Sequence, residues 1–318
     1  MKMKIAVEEH FLLAGFENYF GRNRAAINPA LFEKAVPVLK DFGEIRQKAM
    51  ADAGVEKAVL SLSGPGVQAE PDRDIAVRLA RQANDALAAQ IVKRPASYAG
   101  FAHLAMQDAA AAADELERCI RDLGFVGGMV NGNTGGVYLD DPRYDVFWER
   151  LEALDVPLYI HPADHADRPH MYDGQPSLWG PTWSWGVETC THALRLVFRG
   201  TFDRYPGAKI ILGHMGETLP IQLWRLDSRF AISNQLGPLK LRPSEYIRRN
   251  VMMTTAGVCD DAALRCAIDA VGLGNLMFSV DFPFESSREA GDWFDAAKIS
   301  ERERAAVGRD NAARLLKL

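Results

Sequence analysis

The sequence has little that would tie it to a membrane, a nucleic acid or an oxidising compartment. Its 318 residues carry 37 Lys and Arg against 42 Asp and Glu, for a net charge of −5, and no basic stripe favours nucleic acid as a partner. No run approaches the roughly 18 apolar residues of a membrane helix, and the first residues lack the apolar segment of a signal peptide. Four scattered cysteines (Cys119, Cys190, Cys259 and Cys266) form no CxxC pair, which favours free thiols. These features predict a soluble cytoplasmic protein.

Short apolar runs alternate with helical patterns along the chain. The runs are nearly continuous in apolar residues, as parallel strands buried on both faces should be, and they cover residues 4–7, 57–62, 98–104, 125–131, 156–161, 209–213, 251–255 and 276–280. Helical segments between them carry stop signals such as Gly54 and Gly124. Strand–helix units joined by right-handed crossovers predict an α/β fold, a (β/α)8 TIM barrel that forms one domain over residues 1–318. The alternative is an open doubly wound sheet, but no GxGxxG follows its first strand.

Two long segments interrupt this alternation, residues 11–41 after the first predicted strand and residues 163–185 after the fifth. Both connect a strand to the next helix. Barrels place such loops over the mouth at the carboxyl ends of the strands, where their chemistry is done. We therefore expect both segments to cover the functional site.

Five acidic or imidazole side chains stand where predicted strands end. Glu8 and His10 are two residues apart on extended chain, so they face the same side; His161, His214 and Asp281 follow the fifth, sixth and eighth strands. Taken singly, such a histidine is usually a hydrogen-bonded structural residue, and such an aspartate a cap. Together, at one end of a barrel, they predict a catalytic metal site. Imidazole and carboxylate without thiolate suit Zn²⁺ or Mn²⁺ and argue against structural zinc.

The motifs that hold these residues resemble a known group. Glu-x-His at 8–10, His-Pro at 161–162, Gly-His-Met-Gly-Glu at 213–217 and Asp-x-Pro at 281–283 are similar to the amidohydrolase superfamily. They resemble in particular its aromatic-acid decarboxylase branch, of the γ-resorcylate (2,6-dihydroxybenzoate) and 2,3-dihydroxybenzoate decarboxylase type. Hydrolytic relatives with two metal ions begin with His-x-His and carry a lysine at the end of strand four. Here the first motif starts with Glu8 and strand four ends at Asn131, so one ion is expected.

The resemblance also implies roles for individual residues. Glu8, His10, His161 and Asp281 would hold one divalent ion, Mn²⁺ or Zn²⁺. Asp281 would also be the acid that protonates the ring, and His214 with Glu217 would control its proton. These roles would make the protein a decarboxylase of a small aromatic carboxylic acid, and the family suggests a homotetramer or homodimer.

Removal of carbon dioxide from a ring explains why an acid is needed. A bare aryl carbanion is too unstable, so the ring carbon must be protonated first, and an ortho hydroxyl stabilises the protonated ring. A metal ion that chelates this phenolate and the carboxylate would fix the geometry. The leading hypothesis is therefore reversible, non-oxidative decarboxylation of an ortho-hydroxybenzoate such as γ-resorcylate, 2,3-dihydroxybenzoate or salicylate. The alternatives are a lactonase-type metal hydrolase on the same barrel and a metal-binding barrel without catalysis.

Further residues are candidates for substrate contacts, each with a structural alternative. Arg229 could bind a carboxylate, in its own or a neighbouring subunit, or be a solvated helix charge. Asn131 and the tryptophans of the second long loop, above all Trp183, could line a flat pocket; the tryptophans could equally pack a subunit interface. Phe20 and Asn23 of the first long loop are further candidates for pocket contacts.

Overall fold

A computed structural model describes residues 3–20, 29–233 and 239–318. Within these residues the strands form one parallel sheet of eight in chain order: β1 (Lys4–Phe11), β2 (Val55–Leu62), β3 (Tyr98–His103), β4 (Gly127–Asn131), β5 (Pro157–His161), β6 (Lys209–Leu212), β7 (Val251–Thr254) and β8 (Leu276–Met277). The chain beyond β8 returns to β1, where the amide of His10 donates to Phe282 O at 2.8 Å and the amide of Asp281 donates to Glu8 O at 3.1 Å. The predicted (β/α)8 barrel is confirmed.

Helices surround the sheet. The described helices are α1 (Pro29–Leu39), α2 (Glu44–Ala53), α3 (Arg73–Lys93), α4 (Ala109–Arg121), α5 (Asp145–Leu154), α6 (Ser184–Phe198), α7 (Thr201–Arg204), α8 (Leu219–Phe230), α9 (Pro243–Asn250), α10 (Asp261–Val271), α11 (Ser287–Ala296), α12 (Glu301–Ala305) and α13 (Asn311–Leu316). Several begin directly after a capping residue, for example Asp72, whose side chain accepts from the amide of Ile75. In the described ranges, no helix combines the length and apolarity needed to cross a bilayer.

Some predicted boundaries were wrong. β1 extends to Phe11 instead of ending at residue 7, so Glu8 and His10 lie within the strand. β8 is only two residues long, so Asp281 stands on the loop that follows it. The first long segment is not all loop, because it contains α1. The helices α8 and α9 between β6 and β7 were not predicted as separate elements.

The barrel interior is filled by one apolar cluster. Its side chains come from every strand, and the C-terminal helix α13 adds two more that plug the lower end: Ile5, Val7, Val59, Ala99, Phe101, Val126, Met129, Tyr159, Ile211, Met252, Met277, Ala312 and Leu316. A larger apolar cluster fills the space between the strands and the helices. The interior is therefore a packed core at its lower end, and only the upper end is free for polar side chains.

A bulge in β1 turns the ligand-bearing residues inward. The register with β2 pairs Ala6 with Ala58 and Glu9 with Leu60, so β1 contains one more residue than β2 between these two pairs. Ile5 and Val7 face the interior, and strict alternation would have sent Glu9 there next. The extra residue shifts the phase so that Glu8 faces inward instead. The bulge therefore places the first metal-binding motif in the barrel mouth.

Candidate metal centre

Four of the predicted ligands come together at the upper end of the barrel. One ligand atom from each of Glu8, His10, His161 and Asp281 lies within 4.8 Å of the others, the one such group found among the described residues. His10 Nε2 is 3.2 Å from Asp281 Oδ1. His161 Nε2 is 3.4 Å from Glu8 Oε1. Atoms this far apart can all bind one ion at the usual ligand distances of roughly 2.0–2.2 Å after small adjustments.

Three of the atoms that would bind the metal ion make no hydrogen bond among the described residues. Glu8 Oε1, His10 Nε2 and Asp281 Oδ1 are buried and unpaired. The second ring nitrogen of each histidine ligand has a partner. His161 Nδ1 donates to Pro162 O at 2.9 Å, and His10 Nδ1 is 3.2 Å from Ser61 Oγ. Metal-binding histidines commonly use the second nitrogen in this way to fix the ring. Since buried polar atoms without partners are costly, this donor set fits one divalent cation.

The electrostatics of the cluster also favour a cation. Burial alone would raise the pKa of Glu8 and Asp281, but the neighbouring imidazoles outweigh it and hold both pKa values below their usual range. Burial lowers the pKa of His161 to about 4. Burial also lowers that of His10, but Asp281 and Glu8 outweigh it and raise the pKa to about 9. A cation bound here would be held by two carboxylates and the neutral imidazole of His161, and His10 would have to lose its proton to become the fourth ligand.

Asp281 connects this cluster to a second set of side chains. Its Oδ1 faces His10, while its Oδ2 is 3.7 Å from His214 Nε2. His214 Nδ1 lies 2.8 Å from Glu217 Oε1. Burial opposes charge on His214, but Glu217, Glu8 and Asp281 outweigh it and hold the pKa of the imidazole well above its ordinary value. These carboxylates favour the charged form of His214, which lies between Asp281 and Glu217.

The loops that carry this second set have an unusual backbone. His214, Met215, Glu217 and Asp281 have φ angles of 49°, 56°, 56° and 77°, a region that side chains other than glycine rarely adopt. Each such residue costs on the order of 1–3 kcal/mol and persists only where its surroundings hold it. Gly257 is one such constraint, since a Cβ there would lie 3.0 Å from His214 Cδ2. Strain is thus concentrated where the predicted acid and relay lie.

A cavity of about 450 Å³ opens onto His10, His161, His214 and Asp281. This volume is within the usual range for small-molecule sites. The walls are mostly apolar, and the cavity is lined by three of the predicted substrate contacts and by further aromatic rings: Phe20, Asn131, Trp183, Phe32, Trp185 and Phe284. The arrangement is suited to a flat ring whose polar end faces the metal-binding cluster.

Two hydrogen bonds fix polar parts of the cavity wall. Gln68 Oε1 accepts from the amide of Asn131 at 2.6 Å, while Asn131 Oδ1 has no partner among the described residues. Trp185 Nε1 donates to Asp164 Oδ1 at 2.5 Å, which holds the indole beside the ring of His161. Asn131 is thus fixed through its backbone, and the indole of Trp185 is held in one orientation at the cavity wall.

Other predicted contacts lie elsewhere. Arg229 is exposed on α8, donates to Ser228 Oγ at 2.8 Å and is not among the described residues that line the cavity. Trp179 packs on Tyr172, with ring centroids 5.7 Å apart. Asn23 lies outside the described residues. The substrate-binding roles of Arg229 and Asn23 stay predictions, as do those of Phe20, Asn131 and Trp183.

Some residues at the site were not predicted from the sequence. Tyr159 donates a hydrogen bond from its hydroxyl to Glu8 Oε2, and Ser61 supports His10. Tyr159 stands two residues before His161 on β5, so strand alternation places both on the same face, and that spacing could have indicated it. Nothing in the sequence around Ser61 distinguishes it from other strand residues.

The fold and site define a mononuclear metal-binding (β/α)8 barrel, and comparison with known proteins agrees. Residues 35–318 match the family model described as Amidohydrolase, and the chain belongs to that family. It is 44% identical to the gamma-resorcylate decarboxylase of Rhodococcus jostii (strain RHA1), over 100% of this chain and 99% of the relative.

Solved structures give the same result. A 2,6-dihydroxybenzoate decarboxylase in complex with 2,6-dihydroxybenzoate superposes with a TM-score of 0.93 at 42% identity, covering 100% of both chains. A dihydroxybenzoic acid decarboxylase from Polaromonas sp. JS666, with bound manganese and the inhibitor 2-nitroresorcinol, also gives 0.93 at 42%, covering 100% of this chain and 98% of that one. The sequence-based assignment to the decarboxylase branch is confirmed.

Proposed function

We propose that this protein is an enzyme that removes carbon dioxide from an ortho-hydroxybenzoate, non-oxidatively and reversibly, with one divalent ion, Mn²⁺ or Zn²⁺. The observation that carries the proposal is the position of Asp281. One of its oxygens belongs to the metal-binding cluster, and the other faces His214 at the cavity. The similarity to gamma-resorcylate decarboxylase over the whole chain supports the reaction, and the manganese in the Polaromonas structure supports the ion.

The chain's own residues can supply the proton that the reaction needs. A divalent ion held by Glu8, His10, His161 and Asp281 contributes Lewis-acid polarisation of the phenol and carboxylate oxygens. The raised pKa of His214 and the lowered pKa of Asp281 support His214 as the group that holds this proton before the reaction.

Proton transfer and bond cleavage then follow in order. His214 Nε2 passes the proton through Asp281 Oδ2 to the ring carbon that bears the carboxylate. The electron pair of the bond to the carboxylate then returns to the ring, and carbon dioxide leaves. Glu217 holds His214 in its charged form until the transfer occurs.

The cavity walls position the ring for this transfer. Trp185 and Phe284 present aromatic faces, which favour a flat ring and exclude water. Asn131 offers its unpaired Oδ1 to a ring hydroxyl. Because the ring carbon must meet Asp281 Oδ2, orientation by these walls is as necessary as acidity.

The test uses metal-saturated protein with 2,6-dihydroxybenzoate, 2,3-dihydroxybenzoate and salicylate, followed by ultraviolet absorbance and carbon dioxide release. Asp281→Asn is expected to lower kcat by about 10²–10⁴-fold, the range of a general acid. Glu217→Gln leaves every metal ligand in place and should also slow turnover, whereas exposed Glu301→Gln should not. The function is wrong if all three acids stay unchanged. The acid role is wrong if metal-loaded Asp281→Asn turns over like the parent.

The same assay in oxygen-18 water separates the rival hydrolase. A lactonase-type hydrolase must place solvent oxygen in its product, and a decarboxylase does not place it in the phenol it forms. A cytoplasmic location and a homodimeric or homotetrameric assembly stay predictions.

A further inference from the structure

Tyr159 is placed to act on the metal site without reaching it. It is wholly buried on β5, and its hydroxyl donates to Glu8 Oε2. Its oxygen is also 3.1 Å from Thr254 Oγ1. An ionised carboxylate can only accept, so the phenol's single proton goes to Glu8 and the threonine hydroxyl donates to the phenol.

This hydrogen bond continues through the side chain of Thr254 into the backbone just after β7. Thr254 Oγ1 accepts from the amide of Ala256 at 3.4 Å, which leaves the threonine proton for Tyr159. The donors therefore all point the same way, from Ala256 through Thr254 and Tyr159 to Glu8. Charge-assisted bonds at the end of such a chain are stronger than neutral ones.

The chain of donors makes the two oxygens of Glu8 unequal. Oε2 is held by Tyr159 and packed against the end of β6, where a Cβ on Gly213 would lie only 2.6 Å from it and 3.0 Å from the phenol oxygen. Oε1 has no partner among the described residues and lies 3.4 Å from His161 Nε2. Oε1 is therefore the oxygen of this carboxylate that can bind a cation without competing with a hydrogen bond.

We propose that Tyr159 is a positioning residue that makes Glu8 a one-oxygen ligand through Oε1. With Oε2 held away, Glu8 takes a single coordination position and leaves others for the substrate oxygens. The inference builds on the metal site of the proposed function. Tyr159 also has a packing role, since its ring contacts that of Phe101 with centroids 6.0 Å apart. That contact needs no hydroxyl group, so removing the hydroxyl alone separates positioning from packing.

The experiment measures metal binding without substrate. Tyr159→Phe keeps the ring and removes the hydroxyl. Calorimetric titration of the chelator-treated protein with Mn²⁺ is expected to show a Kd raised about 10–100-fold, the usual effect of losing a group that orients a ligand. Tyr144→Phe is the matched control: Tyr144 is equally buried and its hydroxyl donates to Met106 O at 3.1 Å, away from the site. Its Kd should equal that of the parent.

A second pair of variants covers the case in which Tyr159→Phe does not fold. Thr254→Val removes the donor to Tyr159 and should raise the Kd in the same direction, while Thr254→Ser restores the hydroxyl and should rescue it. The electron paramagnetic resonance spectrum of bound Mn²⁺ should change in Thr254→Val and in folded Tyr159→Phe. A Kd within twofold of the parent in folded Tyr159→Phe, or in Thr254→Val if the first does not fold, overturns the proposal. Because no substrate is present, this result is independent of whether any hydroxybenzoate is decarboxylated.

Discussion

Glu188→Gln should make the protein more stable in alkaline solution. Glu188 lies on α6 and is fully buried; its Oε1 accepts from Asn133 Nδ2 at 3.3 Å, while Oε2 has no partner among the described residues. Burial raises its pKa from 4.5 to about 7. Because the folded state binds this proton more tightly than the unfolded state, the free energy of unfolding falls as pH rises between these values.

The difference between the two pKa values corresponds to about 3 kcal/mol. Glutamine has nearly the same shape and stays neutral, so Glu188→Gln should match the parent near pH 4.5 and exceed it by up to about 3 kcal/mol at pH 8. Urea unfolding at fixed metal concentration, followed by tryptophan fluorescence across this pH range, measures the difference. Exposed Glu149→Gln on α5 controls for the loss of one negative charge. Equal pH slopes for Glu188→Gln and the parent would refute the reasoning.

Two further predictions concern the site. Removal of the metal with a chelator should lower Tm. At a metal concentration 100 times Kd, binding stabilises the folded state by about 2.7 kcal/mol, which corresponds to roughly 4 °C in Tm for a chain of this size. Calorimetry that finds no shift in Tm would contradict a bound ion. Asn131→Ala should raise KM about fivefold, since one polar contact is worth about 1 kcal/mol, with kcat within about threefold. Steady-state kinetics that show the loss in kcat alone would contradict a binding role.

The fold was accessible from the sequence because buried parallel strands are nearly continuous in apolar residues, and caps such as Asp72 mark the helix starts. The errors fall where this signal is weak. β1 continues through Glu8 and His10, which carry polar side chains on an otherwise apolar strand, so hydrophobicity alone ends it too early. The single-domain organisation stays a prediction.

The sequence predicts the metal ligands, but not the residues and backbone features that position them. Glu8, His10, His161 and Asp281 are unusual residues for the ends of apolar runs, and barrel geometry brings such ends together. The β1 bulge leaves no mark that the sequence alone reveals, because it depends on the register with β2. The raised pKa of His214 likewise depends on its distances to three carboxylates, one on β1 and two on separate loops, which spacing along the chain does not give.

Three of the four ligands also lie where the sheet closes. Glu8 and His10 on β1 are joined to the chain after β8 by backbone hydrogen bonds, which the amide of Asp281 donates to Glu8 O and the amide of His10 donates to Phe282 O. β8 itself is only two residues long. A cation shared by Glu8, His10 and Asp281 therefore crosslinks the part of the barrel with the shortest strand. An ion that binds the folded state and not the unfolded state adds its binding free energy to folding stability. This added stability should be largest where β1 meets the chain after β8. The loss of Tm on metal removal should accordingly come with faster amide exchange at His10 and Asp281 than at the β4–β5 pairing on the other side of the barrel.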